Sequence, residues 1–123
     1  MPVQPRVVVI EPETELGRVV RDVLVDEGYD VVRVHDPYGA IGVMRETSFD
    51  LVVAGLPGPS DDPTGPLSDL KREFPDVPLI SLDGPGATTP RVFGSWRRDG
   101  QHITLRRPFH LHDVVSAVRE LAG

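Results

Sequence analysis

The sequence predicts one three-layer α/β domain, a doubly wound parallel sheet with helices on both faces. Three observations lead there. Short apolar runs alternate with longer stretches whose apolar residues recur at helical spacing, the pattern of successive βαβ units. The run Leu51-Val52-Val53-Ala54 is too short for a helix and is closed by Gly55 and Pro57, so it reads as a strand covered on both faces, the middle of the sheet. Glycines and prolines, 12 and 13 of the 123 residues, fall between these stretches rather than inside them for the most part, and so mark the connections.

Taken in order, Arg6-Val7-Val8-Val9-Ile10 is the first strand, and Glu11-Pro12-Glu13-Thr14-Glu15 is the turn that leaves it. Pro12 restricts Glu11 to extended geometry and suits a first helical turn, where its missing N–H costs nothing. Glu13 and Glu15 favour the positive end of the helix dipole. Leu16, Val19, Val20, Val23 and Leu24 share one helical face, and Gly28 supplies the stop. Asp30-Val31-Val32-Arg33-Val34-His35 is a second strand, less uniformly apolar and therefore placed at the sheet's edge. Pro37 opens a second helix with Ile41 and Met44 inward, although Gly39 and Gly42 weaken it by up to about 1 kcal/mol each relative to alanine.

After the central strand, residues 58–66 are so rich in breakers that no helix starts before their end; a third helix then carries Leu67, Leu70 and Phe74 inward and finishes at Pro75. Val77-Pro78-Leu79-Ile80-Ser81-Leu82 is the fourth strand and delivers Asp83 to the same sheet edge as Glu11 and Gly55. Thr89-Pro90 begins a short fourth helix through Val92, Phe93 and Trp96. Residues 101–105 make the fifth strand, and Leu111, Val114, Val115, Val118 and Leu121 stripe the fifth helix. Five strands and five helices joined by right-handed crossovers give strand order 2-1-3-4-5, the flavodoxin-like arrangement, with residues 1–123 as a single domain.

Composition narrows the function classes. With 13 basic and 19 acidic residues the net charge is −6, which argues against sequence-independent phosphate binding and hence against nucleic acid as a partner of this domain. No cysteine is present, so disulfides and thiolate metal sites are excluded, and no apolar run approaches the roughly 20 residues of a membrane helix. A cytoplasmic protein without a membrane contact is the expectation. The charge is uneven, however: Arg91, Arg97, Arg98, Arg106 and Arg107 fall close together with only Asp99 opposing them, either a solvated face or a binding surface. His35, His102, His110 and His112 are scattered and predict no metal site; no cofactor is expected. Asp61 and Asp62 read as solvated turn formers in their proline-rich loop.

The order of these features resembles the receiver domain of two-component response regulators, over nearly the whole chain. The resemblance is carried by an apolar strand ending at an acidic residue, by Gly28-Tyr29-Asp30-Val31, Phe49-Asp50-Leu51-Val52, Pro59 and Val77-Pro78-Leu79-Ile80, and by the turn Arg107-Pro108-Phe109. It implies a phosphoacceptor aspartate at the end of the third strand, two acidic residues after the first strand that help hold magnesium, a Ser/Thr after the fourth and a Lys before Pro-Phe. At those positions this chain has Gly55, then Glu11 and Pro12, then Asp83, then Arg107; Thr104 stands where the family has its switch aromatic.

The departures remove the implied chemistry. Gly55 has no carboxylate to form an acyl phosphate. Glu11, Asp83 and the carbonyl of Pro57 make a poor magnesium site, and Asp83 would repel a phosphoryl group. In place of that chemistry, Arg107 is expected to pair with Asp83, Glu11 or both, because its fork matches carboxylates. The expected function is an atypical, phosphorylation-independent receiver domain acting as a protein-protein interaction module in signal transduction or transcriptional regulation, not an enzyme. The resemblance places partner docking, and homodimerisation, on the face of the fourth helix, fifth strand and fifth helix. Arg91, Trp96, Arg97, Arg98, Thr104 and Arg106 are the contact candidates there, and an acidic partner surface follows. The alternative is a sensor holding a small anionic ligand in the vacated pocket, against Arg107 and the N–H groups around Gly55.

Overall fold

The computed structural model describes residues 4–11, 14–55, 65–83, 96–99, 102–106 and 111–122, with the side chains of 14–16, 66, 83, 96–99, 102, 104 and 106 set aside. Within them the elements run β1 (Arg6–Ile10), α1 (Thr14–Asp26), β2 (Asp30–Val34), α2 (Pro37–Glu46), β3 (Leu51–Ala54), α3 (Pro66–Glu73), β4 (Leu79–Asp83), β5 (Trp96–Asp99), β6 (His102–Arg106) and α4 (Leu111–Ala122). The sheet has order β2-β1-β3-β4-β6-β5. Every pairing is parallel except the last, where β5 runs antiparallel to β6.

The apolar runs form the interior because their residues are covered on both faces. Val7 to Ile10 of β1 and all of β3 are at most 2% exposed. Alternation along the strands divides them between two layers. Val7, Val9, Leu51, Val53, Ile80, Leu82, Ile103 and Leu105 pack with Val20 and Leu24 of α1 and Val114, Ala117 and Val118 of α4. Val8, Ile10, Val52, Ala54 and Leu79 pack with Ala40, Ile41 and Met44 of α2 and Leu67 and Leu70 of α3. Full burial of each such Val, Leu or Ile contributes roughly 1.5–3 kcal/mol, so these two layers are the main source of stability.

Local signals set the ends of the helices. Gly28 has φ 95°, and the bonds Gly28 N–H to Val25 O (3.0 Å) and Tyr29 N–H to Leu24 O (3.1 Å) close α1 in a Schellman motif. Asp36 caps α2, its side chain accepting from the Gly39 N–H at 2.8 Å, with Pro37 in the first turn. β2 lies at the sheet edge and is only partly covered, as its mixed sequence predicts.

Three expectations are corrected. Trp96 belongs to a strand rather than to a fourth helix, and the sheet has six strands instead of five. At Trp96 the predicted helix gives way to a ladder on the open side of β6, with pairs Trp96↔Leu105, Arg97↔Thr104, Arg98↔Ile103 and Asp99↔His102. That register leaves Gly100-Gln101 between the strands, and a Gly-first pair is a two-residue hairpin signal. Four helices are present among the described residues; positions 84–95, which hold the rest of the predicted fourth helix, lie outside them. Val19 is 38% exposed, so the buried stripe of α1 is narrower than predicted, and its inner face is completed by Gly17 instead.

Candidate functional site

The carboxyl ends of β1, β3, β4 and β6 lie side by side at one edge of the sheet. Ile10 is level with Ala54, so the next residues, Glu11 and Gly55, are neighbours across the ladder, with the Gly55 N–H donating to Ile10 O at 2.6 Å. Neighbouring strands lie about 4.8 Å apart, and alternation places Glu11 and Gly55 on the same side as Val9 and Val53, facing α1 and α4. Glu11 is 1% exposed, one of only two buried polar or charged residues among those described. Its carboxyl group lies directly over Gly55. A Cβ built on Gly55 would overlap Glu11 Oε2 and stand 3.0 Å from Glu11 Cδ. Gly55 has an ordinary φ, so it is glycine here for space rather than for backbone conformation.

A second notch holds the other end of the same side chain. At Gly17 of α1 a Cβ would lie 2.9 Å from Glu11 Cγ, 3.0 Å from Glu11 Cβ and 2.7 Å from Arg33 Nε. Arg33 is the register partner of Val9 on β2, and it reaches Gly17 from the edge strand while Glu11 reaches it from the centre. Arg33 Nε and Nη2 are shielded from solvent, although the residue as a whole is half-buried. The site therefore consists of a buried glutamate whose aliphatic stem meets the shielded guanidinium of Arg33 over one glycine and whose carboxyl group is seated on another, with no hydrogen bond made by Glu11 Oε2 or by Arg33 Nε and Nη2.

The predicted pocket residues are brought together in part. Glu11 and Gly55 are adjacent. Asp83 ends β4, level with Arg106 of β6, so its backbone reaches the same edge. Pro12 and Arg107 lie outside the described residues, and with them the expected Arg107 pairing. Of the contact candidates, Trp96, Arg97 and Arg98 on β5 and Thr104 and Arg106 on β6 share two adjacent strands at one side of the sheet; Arg91 is outside the described residues. Arg33 and Gly17 were not predicted. The trace they leave in the sequence is slight: a basic residue inside an apolar strand and a glycine inside a helical stripe.

The described residues do not fit magnesium. That ion requires near-octahedral oxygen ligation at about 2.1 Å. Gly55 offers no side-chain oxygen, the Glu11 carboxylate is seated against it, and no group of three His, Asp, Glu or Cys side chains that could hold a metal occurs among the described residues. None of their helices is long and apolar enough to cross a membrane.

The parallel strands β2-β1-β3-β4-β6 follow the flavodoxin-like order, and solved receiver domains of response regulators share this fold. The response regulator receiver protein from Sinorhizobium medicae superposes with a TM-score of 0.70 at 21% identity, covering 97% of this chain and 94% of that one. In sequence, the chain is 27% identical over 117 residues to the transcriptional regulatory protein TcrA of Mycobacterium tuberculosis, covering 95% of this chain and 46% of that protein. It is 28% identical over 115 residues to the probable transcriptional regulatory protein TcrX of the same organism, covering 94% and 48%. The chain thus spans about half the length of these curated relatives. No family model matches it. The similarity in sequence is to transcriptional regulatory proteins, and in fold to response regulator receiver proteins.

Proposed function

We propose that this chain is a phosphorylation-independent receiver domain that acts through protein contacts in signal transduction or transcriptional regulation. The observation that carries the reading is at the end of β3: Gly55 presents no nucleophile, and the space where a side chain would stand is taken by Glu11. A domain that cannot be charged with a phosphoryl group acts by what it binds. Trp96, Arg97 and Arg98 on β5 and Thr104 and Arg106 on β6 stand on two adjacent strands at the β5 edge of the sheet, and this edge is the proposed contact with an acidic partner or a second copy of the chain. A cytoplasmic setting accompanies the reading. Against the alternative of a small anion bound at the strand ends stands the buried Glu11 carboxyl group, which would oppose it; Arg107, the proposed anion partner, lies outside the described residues.

An amide NMR titration tests this, first with magnesium and then with beryllofluoride. The resonances of Glu11 and Gly55 are expected to stay in place at millimolar concentrations, and a saturable shift would overturn phosphorylation independence. In the second arm, partner capture is compared for the native chain and an Arg97→Glu, Arg98→Glu variant. Capture unaffected by beryllofluoride but lost on charge reversal is the expected result; capture indifferent to both charges would remove β5 from the interface.

A further inference from the structure

A carboxyl group is seldom withdrawn almost wholly from water, so a glutamate 1% exposed at the end of a central strand marks a place the fold is shaped to hold it. Two elements give way to accommodate it. β3 contributes Gly55, where any Cβ would overlap Oε2, and α1 contributes Gly17, where a Cβ would crowd Glu11 Cγ and Arg33 Nε alike. Arg33, on β2, brings its shielded Nε to the same notch beside the aliphatic stem of Glu11, a contact of packing, since Arg33 Nε and Nη2 and Glu11 Oε2 make no hydrogen bond. Three strands and a helix are thus shaped around one side chain.

We infer that Glu11 is an internal plug: its carboxylate fills the place above β3 that a side chain at position 55 would take, and Arg33 is the positioning residue that holds it there. The inference rests on the reading of this pocket as silent towards phosphoryl groups, and deepens it by naming the group that keeps it silent. Because the occupant is part of the chain, the pocket is filled at all times, and its state is set by Glu11 and Arg33 rather than by a metal or a phosphoryl donor.

The test is a thermal-unfolding cycle on the 123-residue chain. Gly55→Ala alone should lower the midpoint by at least about 5 °C, a clear shift for a domain of this size. In a Glu11→Ala background the same substitution should cost nothing or raise the midpoint, because the methyl group then enters vacated space. Equal shifts in both backgrounds would overturn the plug. Should Glu11→Ala not fold, Glu11→Asp withdraws the carboxylate by one methylene and is expected to reduce the penalty at position 55; an undiminished penalty there counts against the inference in the same way. Arg33 is tested spectroscopically. Arg33→Met should move the Gly55 amide resonance, although β2 and β3 are separated by β1, and this response should vanish when Glu11 is also alanine. A Gly55 amide that ignores residue 33 would remove Arg33 from the positioning role. The two readings fail separately: uptake of beryllofluoride overturns phosphorylation independence, whereas an additive cycle with no beryllofluoride response overturns the plug alone.

Discussion

Two places where an arginine comes close to a glutamate differ in how far their charged ends are withdrawn from water. On the surface, Arg45 at the end of α2 grips Glu73 at the end of α3 through two hydrogen bonds, Nε to Oε2 at 2.5 Å and Nη2 to Oε1 at 2.6 Å. At the mouth of the sheet, Arg33 and Glu11 converge over Gly17 from adjacent strands with their charged ends shielded from water. The surface pair has the better fork, and yet the buried meeting matters more. Exposed charges are already well served by water, so pairing them changes little, whereas a charge withdrawn from water depends on what the protein offers in exchange.

The largest expected effect follows directly. Arg33→Ala removes the shielded side chain that reaches the Gly17 notch beside the Glu11 stem and should destabilise the domain by about 2 kcal/mol, within the usual range for losing packed contacts of a half-buried side chain. Chemical denaturation measures it, and a loss no greater than that of a surface arginine would erase the distinction between the two sites. Gly17→Ala sharpens it further. Alanine favours a helix interior by up to about 1 kcal/mol over glycine, but the new methyl group meets Arg33 Nε and Glu11 Cγ, and overpacking of that kind costs about 1–3 kcal/mol. A net loss of about 1 kcal/mol is expected; a net gain would mean that the notch closes around nothing essential.

The smallest effect belongs to the surface pair. Arg45→Ala should leave the thermal midpoint within about 2 °C of the native value at neutral pH. Its pH dependence carries a definite sign. The hydrogen bond from Arg45, with its charge, holds the Glu73 carboxyl below the ordinary carboxylate range, and burial opposes this only in part. A carboxyl lowered by folding adds stability that is complete above the unfolded value and disappears as pH falls through the folded one. The gap between native protein and Arg45→Ala should therefore close on acidification below the ordinary glutamate range, while Arg45 stays charged throughout. A gap that widens in acid would show that the pair is not its source.

Much of the architecture was legible in the sequence because burial on both faces writes a conspicuous code. The runs in β1 and β3 admit no exposed face, and the alternation of such runs with amphipathic stretches leaves few topologies. β5 escaped because Trp96 stands at helical spacing from Val92 and Phe93, and local spacing cannot report that β6 has an open side; the Gly100-Gln101 interval was the competing signal. At the site, Gly55 and Glu11 were legible as strand-end residues. Arg33 and Gly17 were not, since a basic residue in an edge strand reads as solvated and a glycine in a helix reads as a weakness. Their meaning lies in proximity across β1, which the register supplies and the linear order does not.

The seating of Glu11 upon Gly55 also has a historical consequence. A lineage of this chain acquires a side chain at position 55 at least cost once the one at position 11 has shortened or turned aside, for the present seat of Glu11 Oε2 and a Cβ at position 55 share one volume. The two positions are therefore expected to vary together, glycine at the end of β3 accompanying a glutamate folded over it from the end of β1.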